Sequence, residues 1–251
     1  MGRPRKRHGQ LSFPKRDKNG QLRGGKRERA GRPKAGKLAS EPHKQRPQLS
    51  GREPVLITAR VSKETSNLRR RSMYQAIRRA LGTALRRHDF RVVHFSIQRN
   101  HLHLIAEADN QHALSTGMQG LLISAARRIN VAIQRDTHRR KRGNVFPDRY
   151  HERVIGSPRQ CCSAIRYVLN NWRRHGEDRE GLPTTWTIDP FSSAVNFAGW
   201  KELEGSSQLY GTPEGYERLP TSAPQTWLLR VGWTKHGLIG AHDVPGPERA
   251  A

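Results

Sequence analysis

Between Pro54 and Trp172 the apolar residues of this chain switch spacing repeatedly, from every second residue to every third or fourth and back. The order of those switches limits the segment to few folds. Val55, Ile57, Ala59 and Val61 alternate with other residues, as in a half-buried strand. A helix follows, capped near Ser66 or Asn67, with Tyr74, Ile77, Leu81 and Leu85 on one stripe and Arg70, Arg71, Arg78, Arg79, Arg86 and Arg87 around the rest. Residues 91–97 and 101–108 read as two strands of a hairpin, joined through Gln98, Arg99 and Asn100. Asn110 caps a long helix marked by Leu114, Met118, Leu121, Ala125, Ile129 and Ala132. Residues 150–155 form a fourth strand, and Ser157 with Pro158 opens a helix whose buried stripe is Cys161, Ile165, Val168 and Trp172. Strand, helix, strand, strand, helix, strand, helix predicts an α+β fold. It is a ferredoxin-like, split βαβ antiparallel sheet with helices on one face.

The flanks have a different texture. Residues 1–50 carry 16 Lys and Arg against 3 Asp and Glu, half of the chain's net charge of +26, with too little apolar surface to fold. They are expected to form a disordered basic arm. Gly-Arg-Pro stands at 2–4 and again at 31–33, a triplet that fits an A·T-rich minor groove and equally fits a solvated charge run. Gly20, Gly25 and Lys26 match phosphate-loop spacing, but Arg27 replaces the hydroxyl residue and no strand precedes them, so the match is discarded. Residues 51–176 are expected to be the catalytic domain. Residues 177–251 are rich in Gly, Pro and Ser and hold Trp186, Trp200, Trp227 and Trp233 without sustained periodicity, apart from a short helix near Trp227 to Arg230. They predict an irregular extension packed on the core through its tryptophans.

A net charge of +26 on 251 residues calls for a polyanionic partner, with nucleic acid foremost. No stretch approaches the roughly 20 apolar residues that span a bilayer, and no secretory signal opens the chain. A cytoplasmic, nucleoid-associated protein is expected. The two cysteines, Cys161 and Cys162, are adjacent, which suits neither a disulfide framework nor paired zinc-binding arms, and they read as reduced core residues.

Two pairs of residues could carry chemistry. His101 and His103 alternate on one strand, so both rings point to one sheet face and can converge on an ion; a hydrogen-bonded surface pair has the same spacing. Tyr167 and Asn171 stand four apart on one helical face, where Tyr also serves as a packing residue and Asn as a cap. The ordered combination is more specific than either pair. Asn100-His101-Leu102-His103-Leu104, then Arg149-Tyr150-His151-Glu152-Arg153-Val154-Ile155, then Ile165-Arg166-Tyr167-Val168-Leu169-Asn170-Asn171 resembles the HUH endonucleases with a single tyrosine, and among them the REP-associated tyrosine transposases. The resemblance covers roughly residues 54–176. It implies that His101 and His103 ligate a divalent ion, Mg2+ or Mn2+, that Tyr167 is the nucleophile on a helix following the sheet, and that Asn171 completes the metal site. Where relatives often have Asn-Pro after the tyrosine this chain has Asn171-Trp172, which leaves Asn170 or Asn171 open as the third ligand.

The implied reaction cleaves and rejoins single-stranded or hairpin DNA through a covalent phosphotyrosine. A phosphodiester is anionic and resists attack, so a metal on its oxygen must offset charge in the transition state. A tyrosine hydroxyl, pKa about 10 in water, must also be ionised. No base for it is identifiable in the sequence. Arg99, Arg127, Arg128, Arg149, Arg153, Arg166, Arg173 and Arg174 are candidate DNA contacts, which would position a strand without reading it. Tyr150 or a tail tryptophan could stack on bases. Two further readings stand beside this one: a basic protein of the same fold that binds without cutting, and a hydrolase using water at the His-x-His pair. Monomer and homodimer are both open.

Overall fold

The computed structural model describes residues 46, 48–65, 67–139, 141, 143–177, 187–203 and 219–246. All lie within the unit Glu41–Ala251. Most of the arm expected over residues 1–50, Ser66 as a cap, and Trp186 fall outside the described residues.

The described residues form a sheet of β1 (Val55–Arg60), β2 (Phe90–Ile97), β3 (His101–Ala108) and β4 (His151–Val154) in the order β2-β3-β1-β4. Every neighbouring pair is antiparallel. Because β3 lies between β1 and β2, and β1 between β3 and β4, each helical crossover skips a strand. This is the split βαβ arrangement expected from the order of periodicities. The crossovers are α1 (Arg71–Ala84) and α2 (Gln111–Thr137), and α3 (Pro158–Arg174) follows β4.

Strand alternation sorts the side chains by face. Val55, Ile57, Phe90, Val92, Phe95, Ile97, Leu102, Leu104 and Ala106 form one core with the apolar stripes of α1 and α2. Gly117 of α2 sits against Phe90, whose ring would lie 2.3 Å from any Cβ added there, so this helix packs on β2 only without a side chain at that point. Leu56, Val93 and Ile105 point the other way, into a second core with Cys161, Ile165, Val168 and Leu169 of α3 and with Trp200 and Trp233 of the tail. Thus α1 and α2 share a face as the sequence pattern implies, and α3 covers the opposite one. A bulge at Val93, where Val92 pairs with Ala106 and His94 with Ile105, keeps both faces of β2 in phase with their covers.

The helix termini follow their sequence signals where a cap is present. The Asn110 side chain accepts from the Ala113 N–H, and Ser157 accepts from the Gln160 N–H ahead of Pro158. The first helix departs from expectation. It begins at Arg71 with no side-chain cap, because Leu68 is drawn fully into the core and the Leu68 N–H donates to the Arg99 carbonyl. Asn67 closes the preceding turn instead, accepting from the Arg69 N–H. Leu85, expected on the apolar stripe, is half exposed just beyond the helix end. Order also begins before Pro54: Leu49 is buried, and Arg46 stacks on the Tyr150 ring at 3.7 Å and pairs with Glu152.

The tail is irregular but anchored. It contains α4 (Trp227–Arg230) and short 3-10 turns at Ser193–Asn196, Lys201–Leu203 and Gly232–His236. Trp200 is buried and donates to the Ala194 carbonyl, Trp233 packs on Phe197, and Trp227 is half exposed. Cys161 and Cys162 are free and buried, and burial pushes the Cys161 thiol up to about 12. No helix among the described residues is long and apolar enough to cross a membrane.

Candidate active site

Strand β3 sends His101, His103, Ile105 and Glu107 to the face covered by α3 and the tail. The two imidazoles converge, with Nε2 of His101 2.8 Å from Nε2 of His103. His103 is nearly fully buried, and its Nδ1 is 3.1 Å from the Thr58 hydroxyl on β1, the residue opposite it in register. His101 Nδ1 lies 2.6 Å from the Asn100 amide oxygen. Both rings are therefore oriented through Nδ1, leaving both Nε2 atoms aimed at one point.

From the other side of that point comes α3. The Tyr167 hydroxyl is 3.4 Å from His103 Nε2, and the two rings meet edge to face at 4.9 Å. One turn later Asn171 is fully buried, and neither its amide nitrogen nor its amide oxygen has a hydrogen-bond partner. A buried amide left unpaired costs about 1–3 kcal/mol. Asn170 is differently committed, donating through Nδ2 to the Gly240 carbonyl of the tail at 2.9 Å.

Burial sets the protonation of the pair. Desolvation, with the charges of His175 and Arg60 adding to it, brings His101 down to about 4, and the same forces hold His103 well below its ordinary value. Two neutral imidazoles with converging lone pairs suit a cation without cancelling its charge. Among the described residues no three His, Cys, Asp or Glu side chains are grouped to hold a metal ion. Asn171 is an orphaned buried amide on the same helical face as Tyr167.

Two clefts flank the cluster. One, of about 430 Å3, runs between β4 and α3 beside Tyr167 and is lined by Arg153, Arg159 and Arg166. The other, of about 410 Å3, opens beside His101, with Arg99, Asn100, His175 and Glu177 around it. Of the arginines expected from the sequence, Arg99, Arg153 and Arg166 border these clefts. Arg173 donates to the carbonyls of Ala241 and Thr187, and Arg174 to that of Gly246, so both also hold the tail. Arg127 and Arg128 are exposed on α2, across the sheet from His103. Arg149 lines a third groove with Arg46 and Tyr150.

The sequence reading missed four contributors. Thr58 is identifiable only once the register of β1 against β3 is known. His175, whose ring is 5.5 Å from that of His101, stands four residues after Asn171, a helical spacing that could have found it. Arg159 is one turn before Ser163 and two before Arg166 on the cleft side of α3. Glu107 carries no motif at all.

A family model described as "Transposase IS200 like" matches residues 57–171, the span that holds both histidines, Tyr167 and Asn171. Over those residues the chain is similar to IS200-like transposases. The single-tyrosine HUH resemblance carried by the three sequence motifs falls within the same span. A solved structure described as "Structure of the REP associates tyrosine transposase bound to a REP hairpin" is similar at a TM-score of 0.46 and 16% identity, over 74% of this chain and 100% of that one. No curated protein matches the chain. The matched segment takes in nearly all of the sheet, α1, α2 and most of α3, whereas the tail that covers α3 lies outside it.

Proposed function

We propose that this protein is a transposase that cleaves and rejoins single-stranded DNA, with Tyr167 as nucleophile, and the observation that carries the reading is the Tyr167 hydroxyl 3.4 Å from an imidazole nitrogen that itself faces a second one at 2.8 Å. The phenolic oxygen attacks phosphorus, the bond from phosphorus to the 3′-oxygen breaks, the tyrosine proton leaves, and the departing 3′-oxygen takes one up. The protein then carries a 5′-phosphotyrosine. Reversal by another 3′-hydroxyl restores a phosphodiester, so the bond energy is conserved and no nucleotide triphosphate is needed.

His101, His103 and Asn171 would hold a divalent ion, Mg2+ or Mn2+, which when bound supplies positive charge opposite that gathering on the phosphate oxygens. Thr58 and Asn100 fix the two rings so that no reorientation is required at the moment of reaction. Asn171 is favoured over Asn170 because it stands one turn from Tyr167 with its whole amide unpartnered, whereas the Asn170 side chain is tethered through Nδ2 to the Gly240 carbonyl, although its Oδ1 is also without a partner. Arg153, Arg159 and Arg166 along the cleft beside Tyr167 place the strand by its phosphates. The net charge of +26 gathers DNA to the protein.

The test is incubation of the protein with Mg2+ or Mn2+ and hairpin DNA labelled in the fragment 3′ of the cut. The expected result is a labelled covalent protein adduct that disappears in Tyr167→Phe and in the presence of a chelator. Cleavage without adduct would assign the site to water-mediated hydrolysis, and binding with neither would leave a non-cleaving DNA binder.

A further inference from the structure

Trp200 and Trp233 are buried where the tail meets α3. Trp227 is not: it is 51% exposed, and among the described residues no other Phe, Tyr or Trp is exposed. A tryptophan left in water forgoes about half of the hydrophobic gain that ordinarily retains one in a fold.

This ring is nevertheless firmly mounted. The fully buried Glu107 carboxylate accepts from the N–H groups of Gln225 and Thr226, the two residues before it. The Thr226 hydroxyl caps α4 by accepting from the Leu229 N–H, and Leu228 and Leu229 hold the helix in the core beneath. Gly232 lies against the indole, where a Cβ would come within 2.8 Å of the ring. Lys235 sets its ammonium over the ring, 5.0 Å from the centroid. Fixing a ring in place while leaving it open to water is preorganisation for a flat partner.

Charge narrows the partner. Arg230 and Lys235 are exposed, Val231 extends the apolar surface, and no Asp or Glu occurs from 219 to 242. An open aromatic ring among cations suits an unpaired nucleic-acid strand, whose bases offer their faces for stacking and whose phosphates pair with Lys and Arg. A duplex keeps those faces inside its own stack. Glu107 stands four residues beyond His103 on β3, about 13 Å along the strand, so a base on Trp227 lies several nucleotides from the phosphate at Tyr167. The matched segment ends at residue 171, so this surface is supplied wholly by the tail.

We propose that Trp227, with Arg230 and Lys235, forms an accessory platform on which an unpaired base stacks, several nucleotides away from the cut. It rests on the reading that the chain works on single-stranded DNA, and it gives the tail a hold on the strand separate from the one at Tyr167.

The experiment compares the full chain with Trp227→Ala, Trp227→Phe and Lys235→Gln. Binding is measured for unstructured strands of about 4 and about 16 nucleotides, the range over which single-strand sites extend, and for a blunt duplex as long as the longer strand. Trp227→Ala is expected to weaken the longer strand by about tenfold, and Trp227→Phe, which keeps a ring, by about threefold or less. The short strand and the duplex should bind as before. Lys235→Gln should lower the slope of log K against log[salt] by about 0.7 for the longer strand. Unchanged binding of the longer strand by Trp227→Ala overturns the proposal and assigns the patch to contact with another protein. An equal loss for strand and duplex also overturns it. Should that variant fold poorly, photocrosslinking of the unaltered protein to strands carrying iodouracil at each position in turn gives the decision: a crosslink to Trp227 is expected, and crosslinks confined to other residues refute the platform. A Tyr167-dependent adduct alongside unchanged binding in Trp227→Ala would remove the platform and leave the active-site reading intact.

Discussion

The two faces of the sheet are built from the same strands and solve different problems. On the α1–α2 face the inward positions of β1, β2 and β3 are apolar, and the cover comes from helices adjacent in sequence to the strands they bury. On the α3 face the inward row of β3 reads His101, His103, Ile105, Glu107, and its cover comes from residues more than fifty positions away. The first face obtains stability by excluding water from hydrocarbon. The second excludes water from polar groups, and each of those must find a partner or a task. Glu107 has found partners: its carboxylate accepts from the Gln225 and Thr226 N–H groups at 2.8–3.0 Å and from Arg91 at 3.3 Å, fastening the start of α4 to the sheet. At the other end of the same row the two imidazoles face each other and the Tyr167 hydroxyl. One strand face thus holds an anchor at one end and the proposed reactive cluster at the other.

The sharpest way to break this contrast is to remove one residue from each face. Glu107→Ala strands the buried Arg91 and two backbone N–H groups, and the expected loss is about 3–5 kcal/mol in denaturant unfolding. It should be accompanied by release of the tail, read as faster proteolysis beyond residue 219. Leu104→Ala, on the apolar face, leaves a cavity and should cost about 3 kcal/mol with the tail still protected. Equal tail release in both variants would erase the distinction.

A smaller effect separates the neighbouring asparagines. Asn170→Ala loses the bond to Gly240 and should destabilise by about 1 kcal/mol. Asn171→Ala removes an amide that has no partner, so stability should hold or rise slightly while metal-dependent adduct formation falls away. Thermal unfolding with a chelator present and adduct yield at a fixed metal concentration together check the pair. Matching stability losses would remove Asn171 from its proposed role.

The smallest effect is in acid. His94, on this same face and 3.3 Å from the Ser193 hydroxyl, is brought down to about 4 by burial, as His101 is, and His103 is also lowered. Their folded-state values lie below the unfolded value near 6.5, so the unfolded chain binds protons first as pH falls. Stability is then complete above about pH 6.5 and is lost on the way down to about 4, at up to about 1.4 kcal/mol per pH unit for each proton taken up. His94→Gln should flatten this slope by up to one proton in chelator-treated protein, whereas Leu104→Ala should leave it as it is. A slope insensitive to His94→Gln would remove that residue from the acid response.

The apolar face was legible in the sequence because its information is local. Asn110 announces a helix start by a hydrogen bond within three residues, and the stripes of α1 and α2 repeat at helical spacing. The polar face was legible only where chemistry concentrates rare residue types, as at His101, His103 and Tyr167. Thr58 was invisible because any alternating strand admits a threonine and only register makes this one matter. Glu107 was invisible because its partners lie 118 and 119 residues away. The start of α1 was misplaced for a related reason. Leu68 and Arg69 are good helix formers, but the first is fully buried and the second is drawn to Asp189 and Glu177, residues beyond α3. Long-range burial and ion pairing outweigh a local preference worth a few tenths of a kcal/mol.

The tail ties α3 down along its length: Cys161 to Leu228, Arg166 to Asp243, Asn170 to Gly240, Arg173 to Ala241 and Thr187, and Arg174 to Gly246. A helix moored in that way cannot swing as a unit without casting off all of these lines. Under the proposed chemistry the phenolic oxygen is a fixed post, and exchange of one DNA end for another must be accomplished by the strands travelling past it.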